Sequence, residues 1–202
     1  MQRTEFMARP RAQDYEEKQS LILSEAAKLF ARYGFTGSSI NMIADACGMS
    51  KALLYHYYPD KDSILFAMLK QHLSELVAAV ETATKTAKTP QARVRAIAHA
   101  LLDTYKDADC EHQVQISSLK LLTADQQSVI VEMERQLVTK LSDALSECLP
   151  DLKSKQLLKP LTMSVFGMLN WHYLWFREGK GLTRDEYADM VTKLVLNGGK
   201  SL

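Results

Sequence analysis

Residues 38–61 read Ser-Ser-Ile-Asn-Met-Ile-Ala-Asp-Ala-Cys-Gly-Met-Ser-Lys-Ala-Leu-Leu-Tyr-His-Tyr-Tyr-Pro-Asp-Lys. Ile40, Ile43 and Ala44 stand at one-turn spacing and predict a short helix. Ser38 or Ser39 can cap its first amides. Gly48 sits where the chain must reverse, which glycine does cheaply, and Met49 plugs the turn. Ser50 caps a second helix from Lys51 to about Tyr57, with Ala44 small where the two cross. Pro59 ends it, and Asp60 or Asp62 caps a third helix that opens with Lys61. Two short helices around a tight turn can place the second in a DNA major groove. Geometry alone does not establish DNA binding, because such corners occur in many helical proteins.

The breakers on either side organise the rest of the chain. A helix over residues 15–33 carries Leu21, Ile22, Ala26, Leu29 and Phe30 on one stripe and stops at Gly34. A long helix from Lys61 carries Ile64, Leu65, Met68, Leu69, Leu73, Leu76 and Val80. Thr89 and Pro90 open the next, with Val94, Ile97, Ala98, Leu101, Leu102 and Tyr105 on its stripe. Residues 106–112 read as a charged connector, followed by helices over 113–122 and 124–148. After a break at Pro150 come helices over 154–177 and 183–197, around a Gly179-Lys180-Gly181 turn. The expected architecture is all-α with nine helices. Residues 1–14 form a flexible basic arm, 15–60 a helix-turn-helix domain and 61–202 a ligand-binding and dimerisation domain. No internal repeat or low-complexity segment is visible.

Residues 18–65 resemble the DNA-binding domain of the TetR family of bacterial transcriptional regulators. The resemblance rests on Ile22, Ala26, Ala27, Phe30, Gly34, Phe35, Ile43, Ala44, Gly48, Ser50, Leu54, Tyr55, Tyr58, Lys61 and Leu65. The departures are small. Ser38 replaces a usual threonine, Tyr58 a frequent phenylalanine and Cys47 a frequent alanine. The resemblance implies a TetR-like homodimer with a family-variable ligand domain. By family habit it implies a repressor released from a palindromic operator by a small-molecule effector.

Composition agrees. The chain has 202 residues, enough for one or two domains, and a formal net charge of +1, so bulk charge does not drive nucleic-acid binding. Arg3, Arg9 and Arg11 make the start basic, opposed only by Glu5. Such an arm either reaches phosphates or a minor groove, or stays a solvated terminus. Without a secretory signal or a long apolar stretch, the expectation is a soluble, cytoplasmic protein that does not engage membranes. Cys47, Cys110 and Cys148 lack metal-ligand spacing and suit a reducing compartment.

Lys51, Ala52, Tyr55 and His56 are expected to face the groove, where lysine donates to guanine acceptors and small or aromatic groups meet a thymine methyl. Ser50, which caps that helix, is a further DNA-contact candidate. Tyr57, Lys61 and Ser39 read as phosphate contacts, and Tyr58 as core. The dimer is expected from the last two helices. Their stripes, Leu157, Leu158, Leu161, Val165, Met168 and Leu169, then Tyr187, Met190, Val191, Leu194 and Val195, are wider than one core face. Gly167 would admit another helix backbone closely.

Asn170, Trp171, His172, Tyr173, Leu174, Trp175 and Phe176 gather aromatic and hydrogen-bonding groups in two turns. Asn170, Trp171, His172 and Trp175 suit a pocket for an aromatic or acyl group, or equally ordinary core and dimer contacts. His99, Asp103 and Tyr105 are further candidates on a middle helix. Residues 166–177 resemble an acyl-coenzyme A-responsive TetR branch, and the whole chain loosely resembles that branch's phenylacetate-catabolism regulators. The implied effector is an acyl-coenzyme A thioester or an aromatic acid. Lys106, Lys120, Arg135 and Arg177 are available for coenzyme phosphates. Two rivals stand beside this reading. One is a small metal-dependent all-α enzyme using Asp107, Asp109, Cys110 and His112. The other is a helical ligand- or protein-interaction module without specific DNA binding. No nucleophile elbow, phosphate loop or paired-carboxylate motif appears, so no enzyme activity, cofactor or resident metal is expected.

Overall fold

Six polar side chains start six of the helices. The oxygens of Ser39, Ser50, Asp60, Thr89, Thr123 and Thr183 each accept an amide of the first turn they precede. The structure is a computed structural model that describes residues 8–202, without the side chains of residues 8–12 and Asp107. Arg3 and Glu5 of the expected arm lie outside the described residues, as do the side chains of Arg9 and Arg11.

All regular elements among the described residues are helical. They are α1 (Ala8–Gly37), α2 (Ile40–Ala46), α3 (Lys51–Tyr57), α4 (Lys61–Lys85), α5 (Pro90–Thr104), α6 (Asp109–Ser118), α7 (Ala124–Cys148), α8 (Asp151–Ser154), α9 (Leu158–Asn170), α10 (His172–Trp175) and α11 (Arg184–Gly199). Short 3-10 turns at Tyr105–Asp107 and Leu119–Leu121 flank α6. Setting aside the four-residue α8 and α10, nine helices remain, the expected number.

Three expected boundaries move. Helix α1 begins at Ala8 rather than Tyr15, so residues 8–14 are helix and not arm. The connector over 106–112 is helical from Asp109, because Asp109 and Glu111 set negative charge against the positive start of α6. The expected helix over 154–177 is three pieces. Gln156, at φ 57°, interrupts it between α8 and α9, and Trp171 interrupts it again. At the second break the His172 ring stacks on Phe176 at 4.2 Å, a packing that outweighs the weak helix preference of consecutive aromatics.

One core runs through the whole fold. Ile22, Ala26, Ala27 and Phe30 of α1 meet Ile43, Ala44 and Leu54 of the corner, with Tyr58, Ile64 and Leu65 behind them. Helix α4 then continues the core with Met68, Leu69, Leu73, Leu76 and Val80 against α5 and α7. Each fully buried side chain of this size stabilises by about 1.5–3 kcal/mol. Helix α4 is long and apolar enough to cross a membrane, but its apolar residues fill this core instead. It runs from the corner into the helices beyond, while α1 packs on α6 alongside it.

Candidate nucleic-acid interface and effector site

The corner is held from inside. Gly48, at φ 62°, reverses the chain, and the Met49 amide donates to the Ala44 carbonyl at 3.0 Å. Leu54 is the fully buried residue of α3, and it fixes that helix's roll. With Leu54 inward, Lys51, Ala52, Tyr55 and His56 are all exposed, which brings the four sequence-predicted readers to one surface. The Lys51 ammonium lies 5.7 Å from the centre of the Tyr55 ring. Ser39 and Ser50 are exposed at the starts of α2 and α3. Each hydroxyl oxygen accepts a backbone amide, from Met42 and Leu53, at 3.2 Å. Each hydroxyl proton remains available to a phosphate.

Two expected phosphate contacts have a structural role. Tyr57 is half-buried and stacks on Tyr15 of α1, ring centres 4.7 Å apart, so it braces α3 against α1 rather than standing free. The Lys61 ammonium is turned inward. It donates to the carbonyls of Phe35 at 2.6 Å and Ser38 at 2.8 Å, above the Phe35 ring. Two of its three N–H donors are thus committed to the α1–α2 connection. Ser38 is buried and donates its hydroxyl to the carbonyls of Leu29 and Gly34. Sequence reading passed over Tyr15; its place on the same face of α1 as the core stripe was the available signal.

Beyond the corner, the residues proposed for a pocket separate into four places. Tyr105 and Asn170 meet in the core, where the tyrosine hydroxyl donates to Asn170 Oδ1 at 2.9 Å. Burial pushes the Tyr105 hydroxyl up. His112 joins them, donating from Nε2 to the Asn170 carbonyl at 3.0 Å, with its ring 4.1 Å from that of Tyr105. His72 of α4, unremarked in the sequence, lies beside both, its ring centre 6.0 Å from His112. Burial, with His112 nearby, pushes His72 down to about 3, and burial likewise lowers His112. Among the described residues, both ring nitrogens of His72 and Nδ1 of His112 have no hydrogen-bond partner.

His99 and Asp103 are elsewhere, on an open groove of about 840 Å³ walled by alanines of α4 and α5. There His99 bridges α5 to α11, with Nδ1 2.7 Å from Asp185 and Nε2 2.7 Å from Asp189. Carboxylates thus flank the ring on both sides and tie α5 to α11. Arg95 also binds Asp189, and together these donors, Arg95 first, hold that carboxyl down at about 2. His172 is buried against Phe176 and Tyr187, and burial, with Arg184 second, lowers it to about 4. Trp171 and Trp175 are 51% and 54% exposed; Trp175 still packs edge-on against the His172 ring at 5.6 Å, at the surface end of that cluster. Spacing gave their shared face but not which way it points.

The zinc grouping does not form. Among the described residues no three histidine, cysteine or acidic side chains are placed to hold an ion, and His112 faces the core. Of the cations considered for coenzyme phosphates, Arg135 pairs with Glu132 and Arg177 donates to the Phe176 carbonyl. Lys106 and Lys120 are exposed.

Residues 22–68 match the family described as bacterial regulatory proteins, tetR family, and residues 87–199 match the tetracyclin repressor-like C-terminal domain. A TetR-family transcriptional regulator from Bordetella parapertussis 12822 is similar over 91% of this chain and 96% of its own, at 32% identity and a TM-score of 0.84. AibR in complex with isovaleryl coenzyme A and operator DNA is similar over 88% of this chain and 97% of its own, at 25% identity and a TM-score of 0.74. The transcriptional activator FasR of Mycolicibacterium smegmatis is 31% identical over 88 residues, which span 44% of this chain and 40% of FasR. The C-terminal match alone covers more than half of the chain, so this protein belongs to the TetR family of bacterial transcriptional regulators and is not an enzyme.

Proposed function

We propose that this chain is a homodimeric repressor that leaves a palindromic operator when it binds an acyl-coenzyme A thioester or an aromatic acid. The observation that carries the DNA half is the exposed set Lys51, Ala52, Tyr55 and His56 on a helix whose roll Leu54 fixes. These four read bases, while Ser39 and Ser50 donate to phosphates. Residues 15–60 form the reading unit, and residues 61–202 the ligand-binding and dimerisation unit. Base contacts give the sequence preference, and cationic side chains that neutralise operator phosphates add a salt dependence to it.

Dimerisation is assigned to the outer faces of α9 and α11. Met163, Met190 and Leu194 are exposed there, and no atom approaches the place where Gly167 would carry a side chain. So much exposed apolar surface on the last helices suits a four-helix contact with a second copy. A cytoplasmic location follows from DNA as the target and from three unpaired cysteines. The thioester reading rests on the resemblance over residues 166–177 and on the ligand named for AibR.

An effector among the middle helices would tilt α4 and alter the spacing of the two reading units. Coupling of about 1–3 kcal/mol changes operator affinity about 5- to 150-fold. The test selects a duplex from a random pool, measures its Kd at several salt concentrations, and repeats the titration with phenylacetyl- and isovaleryl-coenzyme A. A palindromic selected site released by a thioester is the expected result. Weak, flat binding without a selected sequence overturns the regulator reading, and release by the free acids alone overturns the thioester.

A further inference from the structure

A narrow cleft of about 110 Å³ opens where α1 crosses α4 and α6. Its wall is Ser20, Leu23 and Ser24 from α1, then Met68, Gln71, His72 and Glu75 from α4, with Ala108 and Glu111 at the start of α6. We infer that this cleft binds a short aliphatic amine as its ammonium ion. It lies on the α1 side of His72, whose ring separates it from Tyr105 and His112, and it is remote from the α3 surface.

The wall is rich in acceptors and holds no cation. Glu75 and Glu111 supply two carboxylates, Ser20 and Ser24 two hydroxyl oxygens, and Gln71 an amide oxygen. Lys28 is paired with Glu25 at 2.7 Å and lines an adjoining hollow that shares only Ser24 and Glu111 with the cleft. An ammonium carries three donors and no acceptor, the complement of such a wall. Burial, with the charge of Glu75 adding to it, raises Glu111, so a bound cation relieves an existing strain between like charges. The positive end of α6 points the same way as the cation, but Asp109 and Glu111 in its first turn offset it.

His72 is the independent sign of a ligand. It is 2% exposed, it lines the cleft, and among the described residues neither ring nitrogen has a partner. A buried polar group left unpaired costs about 1–3 kcal/mol. Its neutral ring keeps one lone pair, which can accept an ammonium N–H beside the two carboxylates. The volume equals that of about four waters, room for a chain of a few carbons. Leu23 and Met68, both buried, supply the apolar side for that chain. Since no three ligating side chains converge among the described residues, an organic cation fits better than a metal. An occupant would join α1 of the reading unit to α4 and α6, so its binding and operator binding are linked.

Isothermal titration of the full chain with propylammonium chloride tests this, with potassium chloride and propan-1-ol at equal concentration as controls. Saturable binding is expected for propylammonium alone, weakened at least tenfold in Glu75→Gln and in Glu111→Gln, which keep size and hydrogen bonding. His72→Leu removes the buried acceptor and is expected to weaken binding similarly, with its melting curve confirming the fold. Equal heat from potassium chloride, or unchanged affinity in both glutamine variants, overturns the site. An operator Kd that is identical with and without saturating propylammonium overturns the linkage. The titration uses no DNA, so its failure is distinct from a failure of the operator reading.

Discussion

The ammonium of Lys61 sits 4.2 Å from the centre of the Phe35 ring and donates to that residue's own carbonyl at 2.6 Å. The pair ties the first turn of α4 to the end of α1, and so sets where the corner stands on the long helix. A lysine at a helix start near DNA invites a reading as a phosphate contact, but its donors are mostly taken. Replacing it with methionine removes charge-assisted hydrogen bonds worth about 1.5–3 kcal/mol. Lys61→Met is therefore expected to lower the urea midpoint with an unchanged m-value, while the slope of log Kd against log salt stays as in the parent. A slope reduced by about one is the signature of a lost phosphate contact and would restore the original reading.

Lys51 is exposed and lies over the Tyr55 ring of its own helix, so the opposite outcome is expected there. Lys51→Ala should leave stability within about 0.5 kcal/mol, as surface changes do. It should cost about 1–3 kcal/mol of operator binding, and the selected sequence should relax at one position per half-site. A competition assay against single-base operator variants reads both.

Acid should unfold this protein through its buried imidazoles. The folded His72 and His172 are held at about 3 and about 4, against 6.5 for a free ring. Between those values the unfolded chain takes up protons that the folded chain refuses. Stability is therefore complete above pH 6.5 and lost as the pH falls toward each folded value. For His72 the loss by pH 5 is about 2 kcal/mol, at about 1.4 kcal/mol per pH unit. Urea melts at pH 7 and pH 5 should show this loss, and His72→Leu should reduce it.

The face of α11 offers a test of assembly. Leu194 is 60% exposed in the single chain, beside Met190. Leu194→Asp costs the monomer little, yet it buries a charge in any contact made there. Sedimentation is expected to show a dimer for the parent and a monomer for Leu194→Asp, with operator binding weakened in step. A dimer that survives the change places the contact elsewhere.

The corner was legible because its signals are local. Ser39, Ser50, Gly48 and Pro59 act on the residues next to them, and no distant packing competes. The aromatic run was not. Spacing places Trp171 and Trp175 on one face, but only the break after Asn170 turns that face to the surface. His72 escaped notice because it sits at four-residue spacing between Met68 and Leu76, inside an apolar stripe. A polar residue at such a position is the signal that could have found it. Lys61 and Tyr57 were read from residue type, whereas their roles depend on Phe35 and Tyr15, more than twenty residues away along the chain.

Helix α4 has 25 residues and no hinge within it. At 1.5 Å per residue it is about 37 Å of stiff rod, with the corner at one end and the α5 packing along the rest. A rotation of about 5° at the far end displaces the corner by about 3 Å, close to the rise of one base pair along duplex DNA. The gain of this lever is set by length alone. A shortened α4 would bind the same effector and bend by the same angle, yet it would move its reading helix too little for the operator to register.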